Sequence, residues 1–116
     1  MNLEDFRDHC LRFKGVTEGF PFDKHTLVFK VANKMFALCD LEGFNGANLK
    51  CDPERAIELR ERFSGIKPGY HMNKLHWNTV SIHEDVDDLL FFELIDHSYQ
   101  LVLLSLPKKI RLELQD

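Results

Sequence analysis

Leu27-Val28-Phe29-Lys30-Val31-Ala32-Asn33-Lys34-Met35-Phe36-Ala37-Leu38-Cys39 is the stretch that decides the fold. Leu27, Phe29 and Val31 alternate with Val28 and Lys30, the period-two signature of a strand. Asn33-Lys34 breaks the pattern and Met35 to Cys39 resumes it. Two such runs around an Asn-containing turn read as a β-hairpin. The strand period extends to both sides. Phe20 and Phe22 alternate around Pro21, and after a break at Gly43, Asn45 and Gly46 residues 47–51 form a third strand. Residues 17–51 therefore predict an antiparallel meander.

Helices flank this meander. Asn2 caps a helix over 2–14, with Asp5 in its first turn and Leu3, Phe6, Cys10 and Phe13 at helical spacing before Gly15. Asp52-Pro53-Glu54 starts a second: Asp caps, Pro is pre-set at the first helical position, and Glu meets the positive end of the dipole. Ala56, Leu59 and Phe63 line one face of this helix over 53–63, and Ser64-Gly65 ends it. Residues 66–76 contain Pro68 and Gly69 without a period and read as a loop or strained turn. Trp77 to Ile82 alternates as a strand. Asp85 starts a last long helix from about 86, lined by Leu90, Leu94 and Leu101, which Pro107 ends or kinks; 108–115 reads as a short terminal helix. The order α-β-β-β-α-β-α(α) predicts an α+β fold in one domain over 1–116: a small antiparallel sheet with helices packed on one face.

Ten Phe in 116 residues supply the apolar bulk for a core. Cys10, Cys39 and Cys51 are odd in number and form no CxxC pair, which predicts reduced thiols and a cytoplasmic protein. No apolar run approaches the roughly 18 residues of a membrane span. The N-terminus lacks the basic and apolar regions of a signal peptide.

The formal net charge is −4, which excludes a strongly basic DNA-coating protein. The charge is uneven. Residues 1–61 carry net −2, residues 62–83 carry Arg62, Lys67 and Lys74 with no acid, and residues 84–116 carry net −5. The acid-free stretch also holds His71, His76 and His83, whose partial protonation adds positive charge near neutral pH. Within it, Lys67 and Lys74 suit phosphate neutralisation. Tyr70, His71, His76 and Trp77 offer flat faces and hydrogen-bonding groups, and Asn73 and Asn78 suit amides or base edges. Taken singly, each aromatic reads as core or rim and each His as a partner for loop carbonyls. As a cluster they predict a binding loop. Lys108, Lys109 and Arg111 form a second basic element, which matters only if it folds beside Lys74. Lys34, with Lys30 and Lys50, forms a third on the predicted hairpin and third strand.

Phe20-Pro21-Phe22-Asp23, Val28-Phe29-Lys30-Val31, Lys34-Met35-Phe36-Ala37-Leu38, Leu49-Lys50-Cys51-Asp52-Pro53, residues 68–80, Ser98-Tyr99 and Leu106-Pro107-Lys108-Lys109 together resemble the MmcQ/YjbR family, in order and over nearly the whole chain. The block Gly69-Tyr70-His71-Met72-Asn73-Lys74 with His76-Trp77-Asn78-Thr79 is its most specific part. The resemblance implies a CyaY-like α+β fold in a double-wing arrangement, a bacterial cytoplasmic protein, and the DNA-binding label that members carry by analogy of fold. Leu75 stands where relatives often have a basic residue, which weakens the electrostatic case for DNA.

Three functions follow as expectations. The first is weak, salt-sensitive DNA binding, with Lys67, Lys74, Lys34, Lys108, Lys109 and Arg111 on phosphates and Tyr70, His71, Asn73, His76, Trp77 and Asn78 in a groove or stacked on bases. The second is a small-molecule or anion site on the same loop. The third is a protein-interaction adaptor marked by exposed Phe91 or Phe92; a monomer is otherwise favoured. GxSxG, P-loop, HExxH and GxGxxG motifs are absent, so no catalytic residue and no cofactor are expected. His71 and His76 are five apart rather than four, which argues against a metal site.

Overall fold

The computed structural model describes residues 1–115. The chain runs α1 (Leu3–Leu11), β1 (Val16–Gly19), β2 (Thr26–Val31), β3 (Lys34–Asp40), β4 (Gly46–Lys50), α2 (Pro53–Arg62), β5 (Ile66–Pro68), β6 (Trp77–Ser81), α3 (Asp88–Ser105) and α4 (Lys108–Gln115). The strands form one antiparallel sheet in the order β1-β2-β3-β4-β6-β5. The α+β class is as expected, with six strands among the described residues where the sequence pattern indicated four.

The hairpin that decides the fold is β2–β3. Ala32 and Asn33 link its strands with φ of +47° and +69°. Two consecutive left-handed residues match the right-handed twist of the flanking strands. A register shift between Phe29 and Lys30 bulges the pair. Asp52 caps α2 by accepting the Arg55 N–H, with Pro53 in the first turn as the sequence predicts. Ser98, fully buried on α3, bridges β3 and β4: its hydroxyl donates to the Phe36 carbonyl and accepts the Lys50 N–H at 2.9 Å. Strands β3 and β4 pair at only two positions, so this hydroxyl satisfies backbone groups that the ladder leaves over.

Four expectations need correction. Phe20 and Phe22 lie beyond the end of β1, outside any strand, 50% and 63% exposed. The turn there is organised by Asp23, whose carboxylate accepts the His25 and Thr26 N–H groups at 2.8 and 2.7 Å. Residues 66–68 form an edge strand, not a loop, because Ile66 is buried opposite Val80. Asp85 does not start α3. Its carboxylate accepts the Ser64 and Gly65 N–H groups, both at 2.8 Å, while Asp87 caps the helix through the Leu90 N–H. α1 stops at Leu11, three residues short of the expected end.

Every helix contributes to the same side of the sheet. Phe6 and Cys10 of α1, Ala56 and Leu59 of α2, and Phe91, Leu94, Ile95, Tyr99 and Val102 of α3 join Leu27, Phe29, Leu49, Ile66 and Val80 in one core, against which Leu114 of α4 packs. Phe6 meets Phe29 edge-on, with centroids 5.6 Å apart. A fully buried Phe stabilises by about 1.5–3 kcal/mol relative to exposure. Alternate residues point to the opposite, outer side, where Val28, Leu38 and Trp77 form a second, small cluster edged by Met35 and Met72. Among the described residues, no helix is long and apolar enough to cross a membrane.

Candidate functional site: the outer face of the sheet

Among the described residues no helix packs against the outer cluster, and two loops rise beside it. One is the turn after β1, carrying Phe22 and Asp23. The other is the β5–β6 connection, carrying Tyr70, His71 and Met72. Between them lies a cleft of about 590 Å³, floored by Thr26, Leu38, Asp40, Asn48, Thr79 and Ser81.

The β5–β6 loop is a hydrogen-bonded unit. Gly69 N–H donates to the Trp77 carbonyl at 2.8 Å and Trp77 N–H to the Asn73 carbonyl at 3.0 Å. The Asn73 side chain accepts the Leu75 and His76 N–H groups, and Lys74 Nζ donates to the Gly69 carbonyl at 2.8 Å. Gly69 has to be glycine: a Cβ there would stand 2.7 Å from the Trp77 Cβ. From the helix side Arg60 reaches up to this loop. Its Nε donates to Asn78 Oδ1 at 2.6 Å and its Nη2 to the carbonyls of Lys74 and Trp77. On the outer side Asn48 Nδ2 donates to the Tyr70 carbonyl, Thr79 Oγ1 accepts the Tyr70 N–H, and the Thr79 hydroxyl donates to Asn48 Oδ1. The loop is thus clamped from both faces. Groups held this way need little ordering when a ligand arrives.

These bonds reassign several predicted site residues. Trp77 is buried against Val28 and Leu38, so it cannot stack on a base. Asn78 is buried on the helix side and bound to Arg60, and its Nδ2 has no partner among the described residues. Asn73 and Lys74 hold the loop together. His76 is half-buried, its carbonyl accepting the Cys51 N–H at 2.8 Å. Lys67, Tyr70 and His71 remain exposed. His71 adopts φ +60°, a left-handed conformation that costs a non-glycine residue about 1 kcal/mol. Its ring lies 4.0 Å from that of Tyr70.

The three basic elements do not assemble into one face. Lys108, Lys109 and Arg111 lie on α4, whose Leu114 seats against Gly15 next to β1, on the helix side. Lys67 and Lys74 belong to the opposite sheet edge, and Lys34 opens β3 at the tip of the β2–β3 hairpin. The adaptor signature is also missing: Phe91 is buried, and Phe92 is half-buried and packs on the His9 ring at 4.5 Å.

Sequence reasoning missed Arg60, Asn48 and the far wall of the cleft. Nothing local distinguishes Arg60 from Arg55 or Arg62 on the same helix, and Phe22 and Asp23 enter the site only through sheet topology. All three cysteines are buried. Burial pushes the Cys39 thiol up to about 12 and the Cys51 thiol up to about 11, so neither is a ready nucleophile. Among the described residues, no group of three His, Cys, Asp or Glu side chains is placed to hold a metal.

The architecture defines a class: an α+β protein with helices on one side of an antiparallel sheet and a loop-walled cleft on the other. Residues 11–101 match the family model described as YjbR, and the chain belongs to the YjbR family. It is 30% identical to YjbR of Escherichia coli K12 over 112 residues, covering 96% of this chain and 95% of that one. It is 40% identical to YbdF of Escherichia coli O157:H7 over 91 residues, covering 78% and 75%. The crystal structure of Deinococcus radiodurans protein DR2400 superposes with a TM-score of 0.91 at 41% identity, over 98% of this chain and 88% of that one.

Proposed function

We propose that this protein is a non-catalytic small-molecule-binding domain whose site is the outer-face cleft. The observation that carries this reading is the cleft itself. Its volume of about 590 Å³ lies within the span of ligand pockets, roughly 300–1,000 Å³. Its loop wall is fixed in advance by Arg60 on one side and by Asn48 and Thr79 on the other. The apolar patch of Leu38 and Met72 beside polar Asn48 and Thr79 is the mixture by which such sites bind and orient a ligand.

DNA binding is the second reading, supported by Lys67, Tyr70 and His71 exposed together near the β5 edge. It is the weaker one because the remaining basic groups are dispersed and Asp23, Asp40 and Glu42 line the same outer face. Phosphate contacts depend on accumulated positive charge. Amide chemical-shift mapping separates the two. Fragment-sized compounds should shift Asp40, Asn48, Tyr70 and His71 in a saturable way, and duplex DNA should not. Shifts induced by DNA at Lys67, Tyr70 and His71 that vanish as salt rises, with the cleft silent to every fragment, would reverse the assignment.

A further inference from the structure

The residues lining the cleft include three carboxylates, Asp23, Asp40 and Glu42, and no lysine or arginine. Carboxylates alone mark ordinary solvated surface. Here they share a concave site with two large aromatic side chains that the fold leaves uncovered, Phe22 at 63% and Tyr70 at 68% exposure. Those rings stand on opposite loops, so they flank the cleft rather than seal it. Aromatic faces attract cations through their quadrupole, and they do so more strongly where water is partly excluded.

The carboxylates are held in place. Asp23 accepts two backbone N–H groups and the Thr26 hydroxyl, which keeps its carboxyl below the ordinary range and ionised. Asp40 Oδ1 accepts the Glu42 N–H at 2.8 Å, and its second oxygen has no partner among the described residues. Glu42 pairs with His25 at 2.9 Å on the rim. The Tyr70–His71 wall is fixed by the Asn48–Thr79 network.

From this charge complementarity we infer that the ligand of the cleft is a small organic cation, an amine, amidine or guanidinium carried on a flat or apolar body. The inference rests on the reading of the cleft as a ligand site and adds the sign of the ligand's charge. The flat body lies along Phe22 or Tyr70, and the cationic head takes the open oxygen of Asp40. The same charges repel phosphates and carboxylates, which sets the specificity against nucleotides and organic acids.

Benzamidine, benzamide and benzoate are nearly identical in size and shape and differ in charge, so together they test the sign directly. Titrated into the folded protein, benzamidine should shift the amides of Asp23, Asp40, Asn48 and Tyr70, with a Kd about 3- to 5-fold below that of benzamide, the upper part of the range expected of exposed ion pairs. Benzoate should leave those amides unmoved. D40N combined with E42Q, both exposed and replaced by near-isosteres, should bring the benzamidine and benzamide Kd values within about twofold of each other while the remaining spectrum stays unchanged. Benzamide or benzoate binding the cleft as tightly as benzamidine would overturn the inference and leave the ligand-site reading standing. If none of the three shifts the cleft, both fall together.

Discussion

The two faces of the sheet are made from the same strands and alternate residue by residue, yet they are built to different ends. On the helix side Leu27, Phe29, Leu49 and Val80 disappear into a continuous core with four helices over it. On the outer side the apolar contribution is Val28, Leu38 and Trp77, and the space above the neighbouring strands is left open between two loops. A strand cannot hide both its faces unless something covers each. Here the helices cover one face and the β5–β6 loop covers only part of the other. Stability therefore resides on one side, and the surface free to bind on the other.

Mutations on the two sides should differ in kind. The largest effect is expected for F29A, which removes a fully buried ring from among Phe6 and Phe36. Loss of about 3–5 kcal/mol is expected, read as a fall in the urea midpoint; a loss below about 1 kcal/mol would contradict the helix face as the seat of stability. R60M comes next. It removes the donors to Asn78, Lys74 and Trp77, leaving the buried Asn78 amide with neither end satisfied, at a cost of about 2–3 kcal/mol. Because Arg60 joins the two sides, faster hydrogen exchange should accompany that loss at residues 69–77. Unchanged exchange there would mean the loop does not depend on its clamp.

The smallest effect is a pH dependence confined to the helix side. His97 Nε2 accepts the Asp52 N–H at 3.2 Å, and burial, reinforced by Arg55, lowers its pKa below the ordinary 6.5. The folded state thus holds the ring neutral while the unfolded chain protonates it. Its contribution is complete above 6.5 and is lost as pH falls below that value. Urea unfolding at about pH 7.5 and 5.5 should show a shallower decline in H97Q than in the parent protein. Equal declines would remove His97 as the cause.

What was legible in the sequence follows the same division. The core strands β2 and β3 carried strong alternation, and Asp52-Pro53 announced α2, because burial and capping act on nearby residues. The edge strands β1 and β5 were illegible. They are only four and three residues long, and Glu18 in β1 points to the helix side to pair with Arg7, which breaks the apolar pattern. The cleft was half legible. Its Tyr70–His71 wall lies in the acid-free stretch, but charge along the chain carries no sign that the fold sets Asp40 and Glu42 around the same cleft. Trp77 misled because an isolated aromatic in a polar block looks the same whether it faces solvent or packs on Val28.

Pro68 has a further consequence, for self-association. Gly65 and Gly69 direct their backbone groups to β6, through the Ser81 N–H and the Trp77 carbonyl. By the alternation of an antiparallel strand, residue 68 then faces away from the sheet. At that position proline offers no N–H to an incoming chain. A seventh strand adding to this edge would find only three residues, one lacking a donor and another a lysine. Short length, Lys67 and Pro68 are each recognised means of blocking edge-to-edge polymerisation. They stand beside the loop that walls the cleft, so the sheet ends where its working surface begins.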